Sequence, residues 1–375
     1  MTAPIEGHVA PGFERVADVF AENFAQNGPY ADIGASFAVY RRGECVVDLW
    51  GGYADRAATR PWQQDTLVNL WSTTKAVAAF CVALLIERGQ LDYAGRVAAY
   101  WPAFAKAGKQ DVTVAQLLSH EAGLPGFADP TSIDDLFEHD RCAARLAMQA
   151  PLWEPGTANG YHAVTYGFLA SELVRRTDGR TLGRFLADEL AGPLGADFHI
   201  GLARGLEARV AELVPPDQPA DMSSVEMNPA MMLALGSPAM DPHRANTHAW
   251  RAAELPALNG HGSAQGIAKL YAAMLDPAGP CSPATVERMT AIAADRDDLV
   301  LGFNPRWGMG VAHNQGGMFG PHTATFGHSG WGGSFGCGDA ARGIAIGYAC
   351  NHMGPDLVGD PRATALCRAV FDDGR

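Results

Sequence analysis

The stretch Leu70-Trp71-Ser72-Thr73-Thr74-Lys75-Ala76-Val77 places a serine three residues before a lysine, where an apolar run begins that reaches about Gly89. A helix repeats every ~3.6 residues, so positions i and i+3 lie on one face and the Lys75 amine can reach the Ser72 hydroxyl. A lysine that loses its proton through burial can take the serine proton as the hydroxyl attacks. The spacing therefore predicts a nucleophile, Ser72, and its base, Lys75, in the first turn of a long helix.

Further blocks follow in chain order. They are Val112–Leu124 with its Leu117-Leu118-Ser119-His120, Trp153-Glu154-Pro155-Gly156-Thr157 with Tyr161-His162-Ala163, Glu189-Leu190-Ala191-Gly192-Pro193-Leu194-Gly195, and Phe326-Gly327-His328-Ser329-Gly330-Trp331-Gly332-Gly333. Together with the Ser72 block, they resemble the serine β-lactamase-like superfamily of class C β-lactamases and D-alanyl-D-alanine peptidases, and specifically its family VIII carboxylesterase branch. Five ordered blocks disfavour the alternative in which Ser72 only caps a helix and Lys75 is a solvated side chain.

The resemblance implies an α+β fold, in which an antiparallel β-sheet is flanked by helices and an inserted, mostly helical domain forms the second lobe. It also implies that Tyr161, four residues after the Pro-Gly-Thr turn, acts with Ser72 and Lys75 through an acyl-enzyme. Which of Lys75 and Tyr161 first accepts the serine proton stays open. The oxyanion would rest on the backbone N–H groups of Ser72 and Trp331. The expected oxyanion and substrate-binding residues are Trp331, His328, Ser329, Gly330, Gln116 and Trp71.

Two positions depart from the lactamase pattern. Ala163 stands where those enzymes carry an Asn that holds the substrate amide, and His328 stands where a Lys helps to bind the substrate carboxylate. An ordinary histidine is largely neutral at pH 7. We therefore expect a carboxylesterase acting on an uncharged small-molecule ester. Alternatives are an amide, D-peptide or β-lactam hydrolase, an acyltransferase on the same scaffold, or a non-catalytic binding protein.

A second serine motif, Gly332-Gly333-Ser334-Phe335-Gly336, fits the Gly-x-Ser-x-Gly pattern of α/β-hydrolases. That motif works only as a strand-to-helix turn with an acid and a histidine later in the chain. Here large residues from Ile344 to Cys350 alternate with small ones, which predicts a half-buried strand. We therefore interpret Ser334 as a strand residue beside the active site.

Periodicity indicates helices and strands around these blocks. Residues Ser36–Tyr40 and Glu44–Trp50 are predicted to be strands across an Arg42-Gly43 turn. The predicted helices include Gly12–Gln26, Ala143–Gln149, Thr165–Arg176, Leu182–Glu189, Ile267–Leu275 and Arg362–Phe371. We expect residues 1–95 and 256–375 to form one discontinuous α/β domain, with 96–255 as the inserted, mostly helical domain.

Composition limits the partners and the compartment. The 375 residues carry a net charge of −13, which disfavours nucleic acid and anionic membrane surfaces. The start, Met1–Gly7, lacks a secretory pattern, and the seven cysteines show no Cys-x-x-Cys spacing. We expect a cytoplasmic enzyme without metal or organic cofactor; its oligomeric state cannot be inferred from the sequence.

Overall fold

The computed structural model describes residues 4–218 and 225–372. Its strands are β1 Ile5–Val9, β2 Gly34–Arg41, β3 Glu44–Gly52, β4 Val68–Asn69, β5 Phe198–His199, β6 His261–Gly262, β7 Ala312–His313, β8 Phe326–Ser329, β9 Phe335–Asp339 and β10 Ile344–Cys350. Its α-helices are α1 Glu14–Ala25, α2 Thr74–Glu87, α3 Val97–Tyr100, α4 Val114–Leu118, α5 His139–Met148, α6 Thr165–Asp178, α7 Leu182–Leu186, α8 Gly192–Leu194, α9 Pro229–Gly236, α10 His248–Ala252, α11 Ala264–Leu275, α12 Pro283–Thr290 and α13 Pro361–Asp372.

A seven-stranded antiparallel sheet joins the two ends of the chain. Its strand order is β1-β3-β2-β10-β9-β8-β7, and the pairing of β2 with β10 connects the early strands to the late ones. Helices α1 and α13 contact each other, while α11 packs on β10, β2 and β9. The predicted α+β fold with an antiparallel sheet and flanking helices is confirmed. The division into domains at residues 95 and 256 stays a prediction.

The first hairpin forms as its sequence predicts. Arg42 and Gly43 both have positive φ angles, 51° and 84°, which suits the right-handed twist of a two-residue hairpin between β2 and β3. The predicted helices also form, although the run that begins at Leu182 continues after α7 as a π-helical turn over Ala187–Ala191.

Strand β10 is buried along its whole length, so the prediction of a half-buried strand is wrong. Its large residues, such as Ile346 and Tyr348, pack in the core that includes α1 and α13 residues. Its small residues face α11: a Cβ on Gly347 would lie 2.9 Å from the Ile267 Cβ. The alternation of large and small side chains thus reflects two helical layers at different distances from the sheet.

Helix α2 lies inside the protein. Every residue from Thr74 to Ile86 is buried, in agreement with the apolar composition of residues 76–86. The helix begins at Thr74, so the expectation that Ser72 lies in its first helical turn is wrong. Ser72 instead occupies the tight turn that leads into the helix, where Lys75 N–H donates to Ser72 O over 2.9 Å. Across the described ranges, no helix is both long enough and apolar enough to cross a bilayer.

Candidate active site

A strained turn presents the Ser72 hydroxyl. The preceding Trp71 has φ of 46°, in the left-handed region where a bulky residue costs about 1–3 kcal/mol. Its carbonyl accepts a hydrogen bond of 2.6 Å from the Thr74 hydroxyl, and its ring is buried against Trp250 and Trp331, with centroids 5.5 and 5.1 Å away. These contacts hold the backbone turn that leaves Ser72 partly exposed above α2.

The Lys75 amine reaches Ser72 as the spacing predicts. Nζ lies 2.9 Å from Ser72 Oγ, 2.8 Å from Ala163 O and 3.0 Å from Ala257 O. The residue is fully buried, and desolvation lowers the pKa of Lys75 well below its usual value. Ala163, the residue in place of the lactamase Asn, therefore still contributes to the site through its backbone carbonyl.

Tyr161 lies against the same lysine. Lys75 Nζ is 4.7 Å from the centre of the Tyr161 ring, which stacks on the indole of Trp307 at 5.7 Å with an interplanar angle of 6°. Burial raises the pKa of the Tyr161 phenol above its usual value; a hydrogen bond with Ser72 opposes this shift and the charge of Asp298 adds to it. The structure thus brings the three residues predicted to be catalytic, Ser72, Lys75 and Tyr161, into one cluster.

The turn between β8 and β9 is hydrogen-bonded to the loop that carries Ser72. Ser334 Oγ donates to Leu70 O at 2.8 Å and lies 3.1 Å from Thr73 Oγ1. Ser334 precedes β9 directly, so its Gly-x-Ser-x-Gly motif enters a strand from a hairpin turn, not a helix. This arrangement excludes Ser334 as the nucleophile of an α/β-hydrolase. Its hydrogen bond instead connects the β8–β9 turn to the Ser72 loop.

The backbone N–H groups of Ser72 and of the β8–β9 turn differ in whether they have a backbone acceptor. Gly330 N–H donates to Ser334 O and Gly332 N–H to Asp356 O, at 2.6 and 3.3 Å. Within residues 4–218 and 225–372, neither the N–H of Ser72 nor that of Trp331 has a backbone acceptor. Two unpaired N–H groups on adjoining loops have the composition of an oxyanion hole.

His328 and Ser329 are the last two residues of β8, directly before the β8–β9 turn. His328 Nδ1 is 2.8 Å from Ser329 O, and its ring packs at 5.8 Å on Trp307. Burial, and to a smaller extent the charge of Lys75, lowers the pKa of His328 to about 3. A neutral His328 cannot replace the ammonium of the lactamase motif in binding a substrate carboxylate.

Gln116 has a structural contact that the sequence pattern did not indicate. Its Oε1 accepts the Thr113 N–H at 2.9 Å, and its own N–H donates to Thr113 Oγ1 at 3.2 Å. This reciprocal pair is a capping box at the start of α4. The expected substrate-binding role of Gln116 stays a prediction.

Two buried histidines, which the sequence reasoning did not assign to the site, connect its loops. His120 Nδ1 accepts the His162 N–H at 3.1 Å, and His162 Nε2 accepts the Leu124 N–H at 3.1 Å. The His120 ring lies 5.1 Å from that of Tyr161. Burial keeps the pKa of both histidines below the usual value, so they act here as neutral hydrogen-bonding groups. Their sequence signals were the Leu-Leu-x-His block for His120 and the Tyr161-His162-Ala163 block for His162.

A narrow apolar cavity adjoins Tyr161 and His328. Its walls come mainly from the segments between α12 and β8 and include Leu301, Phe303, Pro305, Met318 and Phe319. The sequence offered no signal for this cavity, because its walls lie in irregular loops.

A cluster outside the Ser72 site has side chains of the kind that bind metals. His139, Asp140 and Glu172 bring ligand atoms within 4.8 Å of one another. Both carboxylates are already paired with arginine: Arg175 Nη1 lies 2.6 Å from Asp140 and Arg176 Nε lies 2.7 Å from Glu172. We therefore interpret the cluster as an ion-pair network of α5 and α6.

The sheet, the Ser-x-x-Lys turn and the Tyr161 loop together define the class of serine β-lactamase-like proteins. The chain belongs to the beta-lactamase family, whose model matches residues 20–368. The family resemblance predicted from the sequence blocks is thereby confirmed.

Relatives include both esterases and penicillin-binding proteins. The esterase/beta-lactamase LipL of Mycobacterium tuberculosis is 33% identical over 360 residues, which cover 87% of this chain and 78% of that protein. The crystal structure of a family VIII carboxylesterase superposes with a TM-score of 0.93 at 44% identity, covering 99% of this chain and all of that one. A penicillin-binding protein homologue from Caulobacter crescentus gives the same TM-score at 42% identity, covering 99% of this chain and all of that one.

Proposed function

We propose that this chain is a carboxylesterase that cleaves uncharged esters through an acyl-enzyme on Ser72. The observation that carries the proposal is the surroundings of Lys75 Nζ, which contacts Ser72 Oγ and two backbone carbonyls in a fully buried site. Esterases among the relatives support a carboxylesterase-type hydrolase.

The first step requires a neutral amine at Lys75. A neutral amine has two N–H groups and one lone pair, and the carbonyls of Ala163 and Ala257 accept the two N–H groups. The lone pair then faces Ser72 Oγ at 2.9 Å. Because burial lowers the pKa of Lys75, this amine accepts the Ser72 proton as Oγ attacks the ester carbonyl carbon.

Tyr161 supplies the acid. Its raised pKa keeps the phenol protonated, and its hydroxyl hydrogen-bonds with Ser72. When the tetrahedral intermediate collapses, the phenol donates a proton to the departing alkoxide, and the Lys75 ammonium restores it. Water then attacks the acyl carbon by the reverse sequence and releases the acid. Lys75 is therefore the first base, and Tyr161 the proton donor.

The substrate class follows from the charges that line the site. The negative oxygen of the tetrahedral intermediate would accept hydrogen bonds from the N–H groups of Ser72 and Trp331. His328 is neutral and Ala163 has no amide side chain, so neither favours a substrate carboxylate or amide. The apolar side chains that line the narrow cavity beside Tyr161 suit contact with the hydrocarbon part of an ester.

Intact-protein mass spectrometry with chromophore release tests this function. Wild type, Ser72→Ala and the matched control Ser334→Ala are exposed briefly to p-nitrophenyl butyrate and, separately, to nitrocefin. Butyrylation and rapid turnover that require Ser72 but not Ser334, with little action on nitrocefin, are the expected result. Efficient nitrocefin turnover with slow ester cleavage would instead support a β-lactam hydrolase, and turnover by Ser72→Ala would refute the acyl-enzyme.

A further inference from the structure

A buried carboxylate lies directly behind Tyr161. Asp298 is 2% exposed and belongs to the irregular segment between α12 and β7. Its Oδ1 accepts the Tyr161 N–H at 2.9 Å and also the N–H groups of Val300 and Leu301, at 2.8 and 3.0 Å. One oxygen therefore joins the backbone of the proton donor to a loop 137 residues away.

The second oxygen holds the aromatic surface on which Tyr161 rests. Asp298 Oδ2 accepts the Trp307 indole N–H at 2.9 Å and the Asn159 amide at 3.1 Å. Trp307 is the ring stacked on Tyr161, and Leu299 N–H returns a bond of 2.9 Å to Asn159 O. Five N–H donors thus converge on the carboxylate, and in the described ranges no arginine or lysine forms an ion pair with it.

We propose that Asp298 is a positioning residue for the esterase reaction, which fixes Tyr161 from two directions, through its backbone N–H and through the Trp307 ring. This inference rests on the proposed function, because it assigns Tyr161 the role of proton donor. Hydrogen bonds to an ionised acceptor are roughly twice as strong as neutral ones, so a carboxylate locks this loop more firmly than an amide would.

The same carboxylate couples the chemical step to substrate binding. Val300 and Leu301 begin the segment that continues through Phe303 and Pro305 to Trp307, and Leu301, Phe303 and Pro305 line the apolar cavity beside Tyr161. If Asp298 is altered, the cavity wall and the proton donor should shift together.

A double-mutant cycle separates this role from a general structural one. Asp298→Asn is nearly isosteric, but its NH₂ group would face N–H donors. We expect it to lower kcat/KM for p-nitrophenyl butyrate by about 30-fold in the wild-type background. In a Tyr161→Phe background, where no hydroxyl is left to position, the same change should cost less than about 3-fold.

Asp339→Asn is the matched control, because Asp339, at the end of β9, is also a buried carboxylate, and it pairs with Arg342 instead of with the Tyr161 loop. It should have the same small effect on activity in both backgrounds. Thermal unfolding shows which variants fold. If Asp298→Asn does not fold, Trp307→Phe replaces it, because phenylalanine keeps a ring but loses the N–H donor to Asp298.

Equal losses in the two backgrounds, or a folded Asp298→Asn enzyme with wild-type kcat/KM, would overturn the proposal. These outcomes differ from failure of the proposed function itself, which would appear as ester turnover by Ser72→Ala. Activity that depends on Ser72 but not on Asp298 refutes the positioning role alone.

Discussion

Adding one methyl group at Gly330 should test whether the β8–β9 turn shapes the oxyanion site. A Cβ at this position would lie 2.3 Å from Leu70 O and 2.3 Å from Ser334 Oγ. Real Cβ atoms keep at least 3.0 Å from such atoms, so the turn must move away from the Ser72 loop by about 0.7 Å or more. Leu70 cannot yield easily, because its N–H is bonded to Gly260 O at 2.8 Å.

The displacement should slow formation of the tetrahedral intermediate, whose oxyanion needs N–H groups from both the Ser72 loop and the β8–β9 turn. The N–H groups of Ser72 and Trp331 lie on opposite sides of this contact, and a misplacement of ~1 Å at a reacting centre costs roughly 100-fold in rate. We therefore expect Gly330→Ala to lower kcat/KM for p-nitrophenyl butyrate by about 30- to 100-fold. Overpacking should also lower the free energy of unfolding by about 1–3 kcal/mol, which leaves the protein folded.

Steady-state kinetics and thermal unfolding, measured on the same preparations, check this prediction. Gly338→Ala is the control from the same hairpin, since the atom nearest to its Cβ is Phe326 Cζ at 3.3 Å, and it should stay within about 3-fold of wild type. A folded Gly330→Ala enzyme with unchanged kcat/KM would refute the reasoning and would move the oxyanion donors away from this turn.

Other expectations concern Ser334 and Lys75. Ser334→Ala should keep turnover within about 10-fold but lose about 1 kcal/mol in urea unfolding, because Leu70 O loses its donor; loss of all turnover would contradict this. Lys75→Met should lower kcat by about 100-fold or more. The free energy of unfolding of the wild type should rise with pH between the lowered pKa of Lys75 and ~10.4, because in that interval Lys75 is protonated in the unfolded chain but not in the folded one. Urea titrations at several pH values should show this rise in the wild type and not in Lys75→Met. The esterase activity should decline as the pH falls through the pKa of Lys75. His328→Gln should leave this acid-side decline at the same pH, since the pKa of His328 is about 3. A decline that shifts in His328→Gln would assign it to the histidine.

Short-range features could be derived from the sequence. The i to i+3 spacing brings Lys75 to Ser72, and the Arg42-Gly43 pair turns between two strands. Apolar periodicity predicts helices such as Thr165–Arg176, which lies within α6. Each of these depends on residues within a few positions along the chain, where spacing and conformational preference act directly. The ordered blocks added the family resemblance and, with it, the fold.

Only the tertiary structure decides the protonation of the site. The pKa of Lys75 is lowered because the residue is buried, and its amine is held by carbonyls 88 and 182 residues away, which is the arrangement on which its proposed role as a base depends. Asp298 carries no motif, yet it holds Tyr161 across 137 residues. The burial of β10 on both faces likewise depends on helices from both ends of the chain. Desolvation and long-range hydrogen bonds arise only when distant segments meet, and no local pattern of side chains encodes that meeting.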